Sequence, residues 1–265
     1  MSGHLDVVIG ASLGIAVVMV VTWIVSLPLR NASIVDIVWG AGFVVVAWIA
    51  RTIGDGNQDR IDLLTAMVTI WGARLSLYLW WRNHGKGEDF RYQSMRRRQG
   101  ERFPIRSLVT VFGLQGVVMF VVSLPVQLSA TPADPGIGWL AVAGVALWGV
   151  GLFFETVGDA QLARFKADPA NAGAVMDRGL WRYTRHPNSL GDFCVWWGIF
   201  LVAAETTDAR FGIVGPVLMS VMLLRVSGVA MLERSLMKRR DGYADYVART
   251  ATFFPRPPKA RSTDA

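Results

Sequence analysis

Apolar residues run along this chain in long stretches, separated by shorter polar segments rich in arginine. A helix needs about 20 apolar residues to cross a bilayer, and most of the stretches are of that order. The pattern predicts spans at about 7–29, 33–51, 61–82, 105–128, 136–158, 190–205 and 211–232. The sixth rests on the shortest run and begins near Asp192. The expected fold is therefore all-α, a single polytopic membrane helical bundle of about seven transmembrane helices over residues 1–255. The remainder, 256–265, has a composition that predicts a disordered tail. No repeat, low-complexity segment or separate soluble domain is evident. Met1–Asp6 lacks a basic stretch and the run after it is too long for a signal peptide, so no cleaved leader is expected.

Composition strengthens this reading. The chain is 52% hydrophobic with mean hydropathy +0.37, more apolar than a soluble domain of this length. In a soluble protein its net charge of +7 would point to nucleic acid. Here the basic residues lie between apolar spans, and positive-inside topology accounts for them. Lys86, Arg91, Arg96–Arg98 and Arg102 fall in one segment; Arg164, Lys166, Arg178, Arg182 and Arg185 in a second; Arg234, Lys238, Arg239, Arg240 and Arg249 in a third. Seven spans put all three on one side, with the N-terminus outside and the C-terminus cytoplasmic. A basic face also suits anionic lipids or a phosphorylated cofactor. Cys194 is the single cysteine, and His4, His84 and His186 are scattered, so neither a disulfide framework nor a zinc site is expected. There is no dinucleotide fingerprint and no P-loop.

Ionisable residues inside spans are functional candidates because burying a charge in lipid is costly. Asp36 lies early in the second span, within Ser33-Ile-Val-Asp-Ile-Val-Trp-Gly. Arg74 and Tyr78 share a face of the third, and Arg82 continues it. An Asp36–Arg74 ion pair that only fixes helix packing is the structural alternative. Glu155, Asp159, Leu162 and Lys166 form a second stripe, running out of the fifth span. It could hold ribose hydroxyls, an amide and a phosphate, or be a solvated surface network. A third cluster lies in Gly179-Leu-Trp-Arg-Tyr-Thr-Arg-His-Pro-Asn-Ser-Leu-Gly-Asp192. Arg182, Arg185 and His186 bring positive or switchable charge, Asn188 an amide, and Gly191 room for a close approach. Glu233 and Tyr246 follow on the same side.

The Gly179–Asn188 segment with Gly191-Asp192 resembles the signature of steroid 5-alpha-reductase C-terminal-domain-like membrane proteins, closest to a bacterial branch long described as a domain of unknown function. The resemblance covers nearly the whole chain, through Ser33–Gly40, Arg82-Asn83, Glu88-Asp89-Phe-Arg-Tyr92, Phe154-Glu155, Gly158-Asp159 and Leu232-Glu233. A similar Arg-His-Pro segment occurs in isoprenylcysteine carboxyl methyltransferases, which use S-adenosylmethionine. The resemblance implies a seven-helix fold in a bacterial plasma membrane that holds NADPH and opens laterally to a lipophilic substrate. It places Glu155, Asp159, Lys166, Asn188 and Asp192 at the cofactor, and Arg182, Arg185, His186, Glu233 and Tyr246 join them as candidates. Tyr78 and Asp36 become the catalytic pair, with Arg74 and Tyr92 toward substrate. Glu155 stands where the steroid enzymes commonly have Asn, and Ser189 where an aromatic residue is usual.

The leading expectation is an NADPH-dependent reductase of a polarised C=C bond in a steroid or other lipid. An S-adenosylmethionine-dependent membrane methyltransferase is the second, and a non-enzymatic lipid-binding protein the third.

Overall fold

The computed structural model describes residues 2–226, 233, 236–237 and 240–259. The end of the seventh expected span (227–232), the basic residues Arg234, Lys238 and Arg239, and tail residues 260–265 lie outside the described residues. The described elements are helical. They include α1 (Ser2–Leu29), α2 (Ile34–Ile53), α3 (Gln58–Asn83), α4 (Phe90–Gln99), α5 (Phe103–Ser107), α6 (Leu114–Val122) and α7 (Leu124–Leu128). After these come α8 (Trp139–Ala167), α9 (Pro187–Ala203), α10 (Thr207–Arg210), α11 (Val214–Val221) and a short helix Tyr243–Arg249.

Among the described residues, six helical stretches are long and apolar enough to cross a membrane: Gly3–Leu29, Ile34–Ile53, Gln58–Asn83, Phe90–Val122, Trp139–Ala167 and Thr207–Val226. The expected polytopic helical bundle is thus the fold. The span expected at 190–205 corresponds to α9, whose 17 residues reach only the short end of the spanning range.

The chain falls into two compact units. One holds the chain up to Gly144 together with Ile199–Gly215, the other Val145–Gly198 with the described residues from Pro216 on.

In the first unit, α2 crosses α3 at a pair of glycines. A Cβ on Gly40 would come 2.3 Å from the Gly72 carbonyl oxygen, so only small residues permit this approach. The Ser76 hydroxyl reaches across the crossing to accept from the Ala41 amide at 2.9 Å. Local side chains set the helix starts: Asn57 accepts from the Arg60 amide and Asp89 from the Arg91 amide, capping donors that the first turn leaves unpaired. Because of the Asp89 cap, the arginine-rich stretch after Phe90 is helix rather than loop. From α5 the chain passes through a π-helical turn, Leu108–Gly113, into α6. Arg60 is fully buried, and its guanidinium donates to the carbonyls of Ser129, Pro132 and Pro135, fixing the loop after α7.

In the second unit, α8 and α9 meet closely at Gly151 and Gly191. A Cβ on Gly191 would lie 2.6 Å from both the Glu155 amide nitrogen and the Gly151 oxygen. The room foreseen at Gly191 is therefore taken up by the α8 backbone. One turn on, Gly158 packs beside Pro187. Leu190, Cys194 and Phe253 form a small core with Leu147, Phe154, Phe193 and Leu224 against it. Within the expected tail, the described residues 256–259 make backbone bonds: the Arg256 amide donates to Tyr183 and the Lys259 amide to Arg249, both at 3.0 Å.

Candidate functional site

Polar side chains gather into one cluster in each unit. The first is built where α2 begins. Asn31 accepts from the amide and hydroxyl of Ser33. Glu88 accepts from the Ala32 amide at 2.8 Å, and the Asp89 amide donates to Ser33. These bonds join the Glu88–Tyr92 motif to the segment that opens α2. Asp36, in the first turn of α2 where the helix dipole favours an anion, then receives two donors. Arg91 Nη2 lies 2.7 Å from Oδ2, and the Tyr92 hydroxyl 2.7 Å from Oδ1. Tyr92 is buried, 6% exposed, and Gln115 Nε2 approaches its oxygen at 3.4 Å. Asp36 therefore pairs with Arg91 and Tyr92, which corrects the alternative of an Asp36–Arg74 pair. Arg74 and Arg82 each stand over the Tyr78 ring, with guanidinium carbons 5.5 and 5.8 Å from its centre.

A second layer of charge secures this arrangement. Arg96 grips Glu88 through Nε (2.9 Å) and Nη2 (2.8 Å) and lies over the Phe103 ring. Burial alone would push the Glu88 carboxyl up, but the Arg96 and Ala32 hydrogen bonds outweigh it and hold the group below the usual range. Asp89 is lowered in the same way: its burial is outweighed by the Arg91 side chain and amide.

The second cluster lies along the α8–α9 seam and beyond it. The close crossing sets Glu155 beside Gly191, with Asn188 and Asp192 flanking Gly191 on α9, and Asp159 one turn further along α8, next to the Gly158 that packs on Pro187. Glu155 and Asp159 are buried, at 3% and 6% exposed. The same α8 stripe continues to Leu162 and Lys166, which line a cavity of about 270 Å³ together with Trp181, Arg185, Arg240 and Tyr243. Four of the expected cofactor residues form the framework of this region. Arg185 donates from Nε to Glu233 (2.7 Å), from Nη1 to the Val247 and Thr250 carbonyls, and from Nη2 to the Thr252 hydroxyl. His186 Nε2 meets the same Glu233 oxygen at 3.1 Å. The Tyr246 hydroxyl donates to the Trp181 carbonyl, and the Trp181 indole N–H to Gly158. Arg182 is exposed and lines a neighbouring basic pocket with Arg178, Arg249 and Lys259.

The electrostatics follow from these contacts. Burial acts to raise the Glu233 carboxyl, but hydrogen bonds from His186 and Arg185 prevail and hold it at about 2. Burial, reinforced by the charge of Glu233, pushes the Tyr243 hydroxyl up to about 12. Burial likewise raises Tyr246.

Arg91, Gln115, Trp181 and Tyr243 were not among the residues singled out as site members. For Arg91 a signal existed, since it sits between Asp89 and Tyr92 in a flagged motif. Trp181 likewise sits in the Gly179–Asp192 motif, while for Gln115 and Tyr243 the tertiary contacts reveal the role. Among the described residues, no group of His, Cys, Asp and Glu is placed to hold a metal ion.

Long apolar helices carrying two buried polar clusters define a polytopic integral membrane protein. The chain belongs to a family described as protein of unknown function (DUF1295), whose model matches residues 22–250 and so spans both clusters. That membership is consistent with the resemblance to steroid 5-alpha-reductase-like membrane proteins. Neither a curated protein nor a solved structure matches the chain.

Proposed function

We propose that this chain is a membrane-embedded, NADPH-dependent reductase of a polarised C=C bond in a steroid or other lipid. The observation that carries the reading is the buried Tyr92 hydroxyl, hydrogen-bonded to an Asp36 that Arg91 keeps paired. The oxygen of a conjugated carbonyl gains negative charge in the transition state of reduction, and a preorganised neutral donor in a dry site stabilises it. Tyr92 holds its proton toward Asp36. Rotation about the Cζ–O bond redirects that proton to a substrate carbonyl oxygen, while Arg91 stays bonded to Asp36. In this reading Tyr92 takes the donor role first assigned to Tyr78, and Asp36 positions it. Tyr78, with Arg74, is left toward substrate.

The second cluster has a donor set that fits one half of a dinucleotide. Trp181 and Tyr243 offer aromatic walls, while Lys166 and Arg240 offer cations at the same cavity. Its volume lies near the lower end of small-molecule sites, roughly 300–1,000 Å³. Bound NADPH supplies the hydride. Asp159, Asn188 and Asp192 would hold its polar groups, with Glu155 beneath them, and Lys166 and Arg182 would meet phosphate as charge-assisted partners. Arg185, His186, Glu233 and Tyr246 shape the cavity through their bonds to one another and to the backbone. A bacterial plasma membrane, with the C-terminus cytoplasmic, belongs to the same proposal.

The test is ligand binding to the purified chain, by calorimetry and thermal shift, with NADPH, NADH and S-adenosylmethionine. NADPH is expected to bind more tightly than NADH, and Asp159→Asn or Asn188→Ala to weaken it without unfolding the protein. Binding of S-adenosylmethionine with no pyridine nucleotide would overturn the reductase reading in favour of a methyltransferase.

A further inference from the structure

An apolar groove of about 680 Å³ runs between α1 and the stretch Leu108–Phe120, within two of the helices long enough to span a membrane. Ile15, Met19 and Val20 form one wall, and Val109, Gly113 and Val117 belong to the other. Two features open it. The π-helical turn Leu108–Gly113 interrupts the regular helix in this wall, and such bulges often accompany functional sites. Gly113 and Gly116 then keep the wall thin: a Cβ on Gly116 would already press on Ile15 and Met19 at 3.3 and 3.4 Å.

The groove has a length and a charged end. At 1.5 Å per residue it extends about 12 Å along Ser12–Val20 and about 18 Å along Leu108–Phe120. That is close to one leaflet of a hydrocarbon core about 30 Å thick. Beyond Val20, the Trp23 indole N–H donates to the Pro104 carbonyl at 2.8 Å and fixes the two walls to each other. At this same end, Arg106 lies three residues before Val109, a residue of the groove wall, just ahead of the π-helical turn. Arg102 lies one turn earlier. Both are exposed, and neither has an acidic partner among the described residues.

We infer that this groove binds an anionic glycerophospholipid, its acyl chain along the apolar walls and its phosphate at Arg102 and Arg106. An apolar channel one leaflet long, ending at two uncompensated guanidiniums, matches a lipid tail joined to an anionic headgroup.

The experiment titrates the detergent-purified full chain with dioleoylphosphatidylglycerol or dioleoylphosphatidylcholine, counting retained lipid by native mass spectrometry. The anionic lipid is expected to bind at least tenfold more tightly. At about fivefold for each basic residue near an anionic surface, Arg102→Gln with Arg106→Gln should cost about 25-fold in phosphatidylglycerol affinity and leave phosphatidylcholine unchanged. Val117→Trp, at a position 62% exposed, fills the channel and should weaken both lipids. Inorganic phosphate should not compete. Arg97→Gln with Arg98→Gln removes two exposed charges of α4 and should have a small effect. Equal affinity for the two lipids, an equal loss in the Arg97/Arg98 pair, displacement by free phosphate, or indifference to Val117→Trp would each overturn the proposal.

Discussion

The Tyr92 hydroxyl lies 2.7 Å from Asp36 Oδ1, while the other oxygen of that carboxylate is held by Arg91 at the same distance. Fifty-six positions separate Asp36 from Tyr92 in the chain, and the Glu88–Ala32 and Asp89–Ser33 bonds bring them together. An aspartate in the first turn of a membrane helix is thereby paired with an arginine and with the hydroxyl of a buried tyrosine.

Removing the Tyr92 hydroxyl isolates its chemical role from its packing. Tyr92→Phe keeps the ring, so the fold should survive. Loss of a transition-state donor typically costs about a hundredfold or more in turnover, and that is the expected drop in single-turnover oxidation of NADPH with a steroid enone as substrate. NADPH affinity should stay nearly unchanged. Tyr78→Phe serves as the comparison, and a larger loss there would return the donor role to Tyr78.

Arg185 is expected to matter for stability more than for ligand affinity. It is 6% exposed and donates to Glu233, two backbone carbonyls and Thr252. Arg185→Ala leaves these acceptors without their donor, a change that costs on the order of 3–5 kcal/mol for a buried charged pair. Limited proteolysis should then cut within 247–256, where the wild type resists. Arg185→Lys should not rescue it, because an ammonium cannot reproduce the planar fork.

Glu233 gives stability a pH dependence of known sign. Its carboxyl sits at about 2 in the folded protein, below its ordinary value of 4.5. The stabilisation is therefore complete above about pH 5 and is lost as pH falls toward 2. Thermal unfolding followed across that window should show a steeper decline for the wild type than for Glu233→Gln. Parallel curves would mean that the His186 and Arg185 bonds do not favour the charged form.

Topology can be read by labelling, since the single native cysteine, Cys194, is buried. Arg97→Cys, in α4, and Asp134→Cys occupy exposed positions in segments assigned to opposite faces. Impermeant maleimide should reach Asp134→Cys from outside intact cells and Arg97→Cys only after permeabilisation. Labelling of both from one side would remove the proposed orientation.

Sequence alone determined the features whose causes are local. Long apolar runs can satisfy their backbone in lipid only as helices or closed barrels, and their lengths set the spans and the all-α class. The Glu155–Asp159–Lys166 stripe was legible for the same reason, because helical periodicity places those residues on one face wherever the helix goes. Tertiary structure decided which charges meet. Asp36 could have paired with any cation near its level of the membrane, and only the folded chain selects Arg91, with Tyr92 beside it, over Arg74. Arg185 stood in a motif rich in charge, yet its Nη1 and Nη2 donors are spent on a C-terminal segment more than 60 residues away in the chain. Such pairings depend on how distant segments close onto each other. No repeat of 3.6 residues records that information, so it appears only once the helices have packed.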